Sequence, residues 1–242
     1  MTRCLFLAGA AGAIGRRLAP LLVADGWRVV GTTRSDEKAP ILREMGVEPV
    51  VIDVFDADAL QDIMVRVRPS IVVHQLTDLP PGLDPAKMAE ATTRNARIRD
   101  EGTRSLVSAA VHAGVQRFIA QSVAFAYVDG PSPHGEDDPL NIDAEGARGI
   151  SARGVASLER QVLEAPLEGI ILRYGRLYGP GTGFDAASGP GPVHVDAAAR
   201  AGQLAVTRGV PGVYNIAEDD GAVSSEKAKR LLDWDAAWSV GQ

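Results

Sequence analysis

The chain of 242 residues has a single cysteine, Cys4. No disulfide framework can hold it together, and a reducing cytoplasm is the simplest location. No apolar run approaches the ~18 residues that span a bilayer, so no membrane partner is expected. The N-terminal apolar run is short and ends in glycines, unlike a signal peptide. The four histidines and one cysteine stand at no metal-ligand spacing. The net charge is −6 and no Lys/Arg stripe forms, which argues against nucleic acid. No internal repeat and no linker is visible. What remains is a globular composition, 45% hydrophobic and 23% charged, of a length for one large domain or a domain with a small appendage.

What is present is more telling. Cys4 to Ala8 reads as a buried strand, followed by Gly9-Ala10-Ala11-Gly12-Ala13-Ile14-Gly15 and an amphipathic run through Leu18, Leu21 and Leu22. Strand, glycine turn and helix are the parts of a dinucleotide-binding unit. Gly9 allows the tight turn. Gly12 lets backbone N–H groups approach a pyrophosphate, which sits over Ala11 to Ile14 at the positive end of the helix. Gly15 lets helix and strand pack closely. A merely structural turn does not explain why no bulky side chain occurs between Ala8 and Ala13.

The period then alternates. Strands are predicted at 27–32, 50–52, 71–74, 117–120 and 169–173. Helices are predicted at 36–45, 56–66, within 86–113, and at 155–163. This implies an α/β fold: a Rossmann-type, doubly wound parallel sheet with helices on both faces. The division expected is a dinucleotide-binding domain over 1–178 and a small C-terminal substrate lobe over 179–242 with return elements. Pro20 predicts a kink in the first helix or a late start. Residues 128–149 and 179–192, rich in Gly and Pro, are read as loops at strand ends, where ligands bind in such sheets.

In this order the segments resemble the short-chain dehydrogenase/reductase superfamily, in its extended or atypical branch (epimerase/dehydratase-like). The glycine motif, Glu101-Gly102-Thr103-Arg104-Ser105-Leu106 ("NvxGTxNLL"), Arg117 to Ser122 ("RFVxxSS"), Leu172 to Gly181 ("LRxxxxYGPG"), Val193 to Asp196 ("VHVDD") and Gly212 to Ile216 ("vYNI") carry the likeness over nearly the whole chain. The resemblance implies a nicotinamide cofactor. It places Asp53, with Val54 beside it, at the adenine. It places Gln75 and Leu76 against the ribose after a structural His74, and Tyr174 near the site. The second strand ends in Thr32-Thr33-Arg34-Ser35, without the carboxylate of NAD-selective relatives. Arg34 and Ser35 therefore point to NADP(H), with NAD(H) as the alternative.

The superfamily usually has a Tyr-xxx-Lys pair on the helix after the fifth strand. Here Ser151 and Val155 fall on those positions, and Val123 falls where a Ser/Thr belongs. With that pair gone, Tyr127 is expected as proton donor or acceptor, with Ser122 orienting the substrate. Tyr174 and Tyr178 are the other nearby phenols. The acidic run Glu136-Asp137-Asp138 is read as a solvated loop. Arg94, Arg97, Arg99 and Arg104 are read as a solvated or subunit-facing surface, which leaves a homodimer open. The expected activity is an NAD(P)-dependent oxidoreductase or epimerase-like enzyme on a small carbonyl or hydroxyl substrate. The alternative is a non-catalytic NADP(H)-binding regulatory or redox-sensing protein.

Overall fold

A computed structural model describes residues 3–240. In chain order the elements are β1 (Cys4–Ala8), α1 (Ala13–Ala24), β2 (Arg28–Thr33), α2 (Ala39–Glu44), β3 (Glu48–Val51), α3 (Ala57–Val67), β4 (Ile71–His74), α4 (Met88–Arg97), α5 (Thr103–His112) and β5 (Arg117–Val123). There follow α6 (Gly146–Glu164), β6 (Glu168–Tyr174), β7 (Arg176–Tyr178), β8 (Pro192–His194), α7 (Val195–Ala205), β9 (Gly212–Ile216) and α8 (Glu226–Leu232). Seven strands form one parallel sheet in the order β3-β2-β1-β4-β5-β6-β9. The doubly wound fold expected from the alternation is the one observed.

The central strands are buried on both faces, which is why they read as apolar runs rather than alternations. Along β1, Leu5 and Leu7 join a core with α1 and α7, while Phe6 and Ala8 join a second core with α3, α5 and α6. The strand order reverses between β1 and β4, and ligands bind at the carboxyl ends of strands at such a switch point.

Three details differ from expectation. Helix α1 runs through Pro20, which faces solvent. The long helix of 86–113 is α4 and α5 joined by a π turn at Ile98–Gly102. The return elements expected after 178 make up more of that segment than a small lobe implies: β9 joins the main sheet, α7 packs on α1, and Trp234 donates its indole N–H to Ala197 O at 2.8 Å.

Candidate functional site

A cleft of ≈ 1310 Å³ opens over the carboxyl ends of the strands. Gly9, Ala11, Gly12, Ala13 and Ile14 line it. Gly9 has φ +89°, and a Cβ there would lie 2.6 Å from the Gln75 carbonyl oxygen, so only glycine fits. Gly12 caps α1 without a side-chain hydrogen bond, and the first turn holds no acidic residue. Its N–H groups are therefore left for an anion, with the helix dipole behind them and Arg16 and Arg17 on the cleft wall. Gly15 does not line the cleft. A Cβ on it would run into the Gly9 and Ala10 carbonyls, so it serves the close seating of α1 on the turn.

The end of β2 forms one limb of the cleft, with Thr33, Arg34, Ser35 and Lys38 on its wall. Arg34 is half exposed and meets Asp78 at 3.1 Å across the mouth, while Arg94 takes the other Asp78 oxygen at 3.1 Å. Val54 and Phe55 line this limb, but Asp53 does not. Its exposed carboxylate accepts the Phe55 N–H at 3.0 Å on Oδ1, holding its own turn. Gln75 and Leu76 stand on the wall as expected. Gln75 Nε2 donates to the Tyr174 hydroxyl at 3.4 Å, and Gln75 Oε1 is buried with no partner among the described residues. A buried acceptor left open on a cleft wall fits a ligand hydroxyl or amide. The glycine cradle, the uncapped helix and this acceptor together suit a dinucleotide.

The other limb is lined by Gln121, Val123, Phe125, Ser151, Tyr174 and Leu177. Phe125 and Phe184 stand half exposed at its edge. Ser151 and Val123 thus occupy the cleft wall, where the resemblance places a phenol and a hydroxyl. Val155 is fully buried away from it. Tyr174 lines the cleft, but its hydroxyl lies toward Gln75 and Gly202, and burial raises its pKa. Tyr178 is spent on Glu218 at 2.7 Å; burial, then that carboxylate, push its phenol up to about 12.

Ser122 and Tyr127 are not on this wall, which corrects their expected role. Strand alternation turns Ser122 to the opposite face, where it donates to Glu159 Oε1 at 2.7 Å. Tyr127 is buried, donates to Asn215 Oδ1 at 2.6 Å and accepts from Arg173 at 3.0 Å. Burial raises its phenol more than Arg173 lowers it. Arg173 in turn grips both oxygens of Glu159, at 2.8 and 2.7 Å. The network continues to the acidic loop: Glu136 Oε1 accepts the Asn215 N–H at 2.9 Å, and Asp138 holds His134 at 2.8 Å. No metal-ligand cluster exists among the described residues. Tyr127→Phe should leave NAD(P)H affinity, and any turnover, within twofold of wild type. It should cost about 1–2 kcal/mol of stability, because Asn215 Oδ1 loses its donor. A loss of turnover of a hundredfold or more in a folded variant would restore Tyr127 as the acid.

Arg99 was placed by sequence on an outer surface, and it lies instead on the cleft wall, donating to Ser151 Oγ at 3.0 Å. The signal was available: in the "NvxGTxNLL" pattern the leading Asn stands three residues before the Gly, and here that residue is Arg99, before Gly102. The other arginines of the stretch do pair at the surface or rim: Arg97 with Glu101, Arg104 with Asp100, Arg94 with Asp78 and Glu90. Beside Arg99, His74 is buried and held near pKa 3, first by burial and then by the Arg99 charge. It is a neutral ring, with Nδ1 accepting from Leu76 N and Nε2 paired to Thr103.

Residues 9–202 match a protein family described as NAD(P)H-binding. The chain belongs to that family. It is also 40% identical, over 226 residues, to a 3-diazoavenalumate denitrifying reductase from a Streptomyces species, covering 93% of this chain and 71% of that protein. Its fold matches UDP-glucose 4-epimerase from Thermotoga maritima with a TM-score of 0.77 at 20% identity, covering 98% of this chain and 94% of the epimerase. A dTDP-glucose 4,6-dehydratase from Streptomyces venezuelae, solved with NAD, gives 0.76 at 19% identity, covering 98% and 93%. The epimerase/dehydratase-like resemblance read from the motifs is thus met in the fold. No helix among the described residues is long and apolar enough to cross a membrane.

Proposed function

We propose that this protein is an NADPH-dependent reductase whose hydride acceptor requires no proton from the protein. One observation carries the reading. Among the described residues, the limb of the cleft opposite the Arg34 limb presents Ser151, Val123 and Phe125, and neither a free phenol nor an ammonium. Reduction of a carbonyl leaves an alkoxide that must be protonated, and an acid positioned for this contributes about 10²–10⁴-fold. An acceptor that is already a cation and discards a neutral leaving group needs no such step.

An aryl diazonium is that kind of acceptor. Hydride forms a C–H bond at the ring carbon, the C–N bond breaks, and its electron pair leaves with N₂. NADPH becomes NADP⁺, and no proton enters the balance. The name of the Streptomyces relative describes reductive removal of nitrogen from a diazo acid, and this supports the class. Bound NADPH supplies the hydride. The chain's own residues do the rest: the glycine turn and α1 hold the pyrophosphate, Gln75 accepts from the cofactor, and Phe125, Leu177 and Phe184 offer apolar surface to an aromatic ring. The cleft exceeds the volume of a single drug-sized ligand and accommodates a dinucleotide with a small second molecule. The test compares NADPH oxidation, above the enzyme-free rate, with a panel of aryl diazonium salts and a panel of aldehydes and ketones. Diazonium turnover at least about a hundredfold above any carbonyl is expected. Equal or faster carbonyl reduction would overturn the reading. Tight NADPH binding with no turnover of any acceptor would favour a regulatory binding protein.

A further inference from the structure

We propose that Arg99 anchors an anionic group of the substrate, specifically a carboxylate. The inference deepens the preceding one and rests on its premise that this limb of the cleft receives the substrate. The observation behind it is an imbalance of charge. Two guanidinium groups, Arg99 and Arg173, lie near one buried carboxylate, Glu159. Arg173 takes both oxygens of Glu159, and Ser122 adds a third hydrogen bond. Arg99 has no carboxylate within 4 Å among the described residues, whereas the other three arginines of its helix each have one. Its one side-chain partner is the neutral Ser151 hydroxyl at 3.0 Å. The neighbouring His74 is neutral and already bonded at both ring nitrogens.

Arg99 is half-buried, and a cation drawn from water with only a neutral hydroxyl as side-chain partner carries a cost. Burial draws the Arg99 pKa down to about 10, with Glu159 acting in the opposite sense. At neutral pH the group stays charged and faces the cleft. The cofactor's phosphates do not account for it. Their seat, the uncapped start of α1 with Arg16 and Arg17, is built on other elements than α6 and the π turn between α4 and α5, which bring Ser151 and Arg99 together. π turns recur at functional sites. The guanidinium fork suits the two oxygens of a carboxylate, and the Ser151 hydroxyl beside it can donate to the same group. With Phe125, Leu177 and Phe184 on the apolar walls, the chemistry selected is an aromatic acid.

The test is a binding measurement that needs no turnover. Benzoate and cinnamate, and their carboxamides, are titrated calorimetrically into protein saturated with NADP⁺. Wild type should bind the better carboxylate at least about tenfold more tightly than its amide, as a charge-assisted bond implies. In Arg99→Gln the preference should fall below about twofold, with NADPH affinity unchanged and thermal stability no lower. Arg99→Lys keeps the charge without the fork and should keep part of the preference. No preference in wild type, or an undiminished one in Arg99→Gln, would overturn the proposal. So would a tenfold loss of NADPH affinity with the preference intact, which would hand Arg99 to the cofactor. If the preference holds but no diazonium is reduced, only the hydride-acceptor reading falls. If diazonium is reduced without the preference, only the anchor falls.

Discussion

Glu159→Ala should destabilise the folded protein by about 3–5 kcal/mol, the range for removing one partner of a buried ion pair. For a chain of this size that corresponds to a melting temperature lower by about 10 °C. Glu159 and Arg173 are both buried and joined by two hydrogen bonds, with Ser122 on the same carboxylate. Removing the carboxylate leaves Arg173 as an uncompensated charge between β6 and α6, and Arg99 loses its nearest counter-charge as well. The cost comes from the stranded cation rather than from the value of the pair. Glu159→Leu with Arg173→Met should therefore recover most of the loss. Differential scanning calorimetry on the three proteins decides the matter. A Glu159→Ala melt within 2 °C of wild type would mean that the network is open to water.

The second large effect concerns cofactor choice. Arg34→Ala should weaken NADPH binding by about tenfold or more, one charge-assisted bond's worth, while NADH binding stays within twofold. Arg34, Ser35 and Lys38 share the limb of the cleft at the end of β2. A 2′-phosphate placed there would draw Arg34 from Asp78, its partner at 3.1 Å. Asp78 remains paired to Arg94 at 3.1 Å, so releasing Arg34 strands no charge. Asp78→Asn should accordingly strengthen NADPH binding slightly, because Arg34 is no longer held. Parallel titrations of NADPH and NADH, followed by nicotinamide fluorescence, read both effects. Equal loss of the two cofactors in Arg34→Ala would show that Arg34 stacks on adenine and leaves the 2′ position alone.

Much of the frame was legible because it follows from local rules. Strands buried on both faces advertise themselves as apolar runs, and the turn must be glycine where φ is +89° and a Cβ would lie 2.6 Å from the Gln75 carbonyl oxygen. Of the three positions that align with the family's catalytic residues, Ser151 and Val123 lie on the cleft wall, and Val155 does not. What failed depended on side-chain direction. Tyr127 follows a strand that borders the cleft, yet its hydroxyl points to Asn215 and Arg173, residues 88 and 46 positions away in sequence. No periodicity encodes those meetings. Asp53 accepts the N–H two residues on, a local turn that its residue type favours. Arg99 was misplaced because four arginines on one helix look alike until the π turn and the packing of α4 on α6 decide which one faces inward.

Under the proposed reaction, hydride passes from NADPH to an acceptor carbon with no proton supplied by the protein. Turnover of an aryl diazonium acid with NADPH deuterated at the transferable C4 position, in H₂O, tests it most directly, alongside unlabelled NADPH in D₂O. The ring carbon that lost nitrogen should carry one deuterium in the first experiment and none in the second, with N₂ equal to the NADPH consumed. Deuterium at that carbon from D₂O, or no cofactor oxidation above the enzyme-free rate, would contradict it.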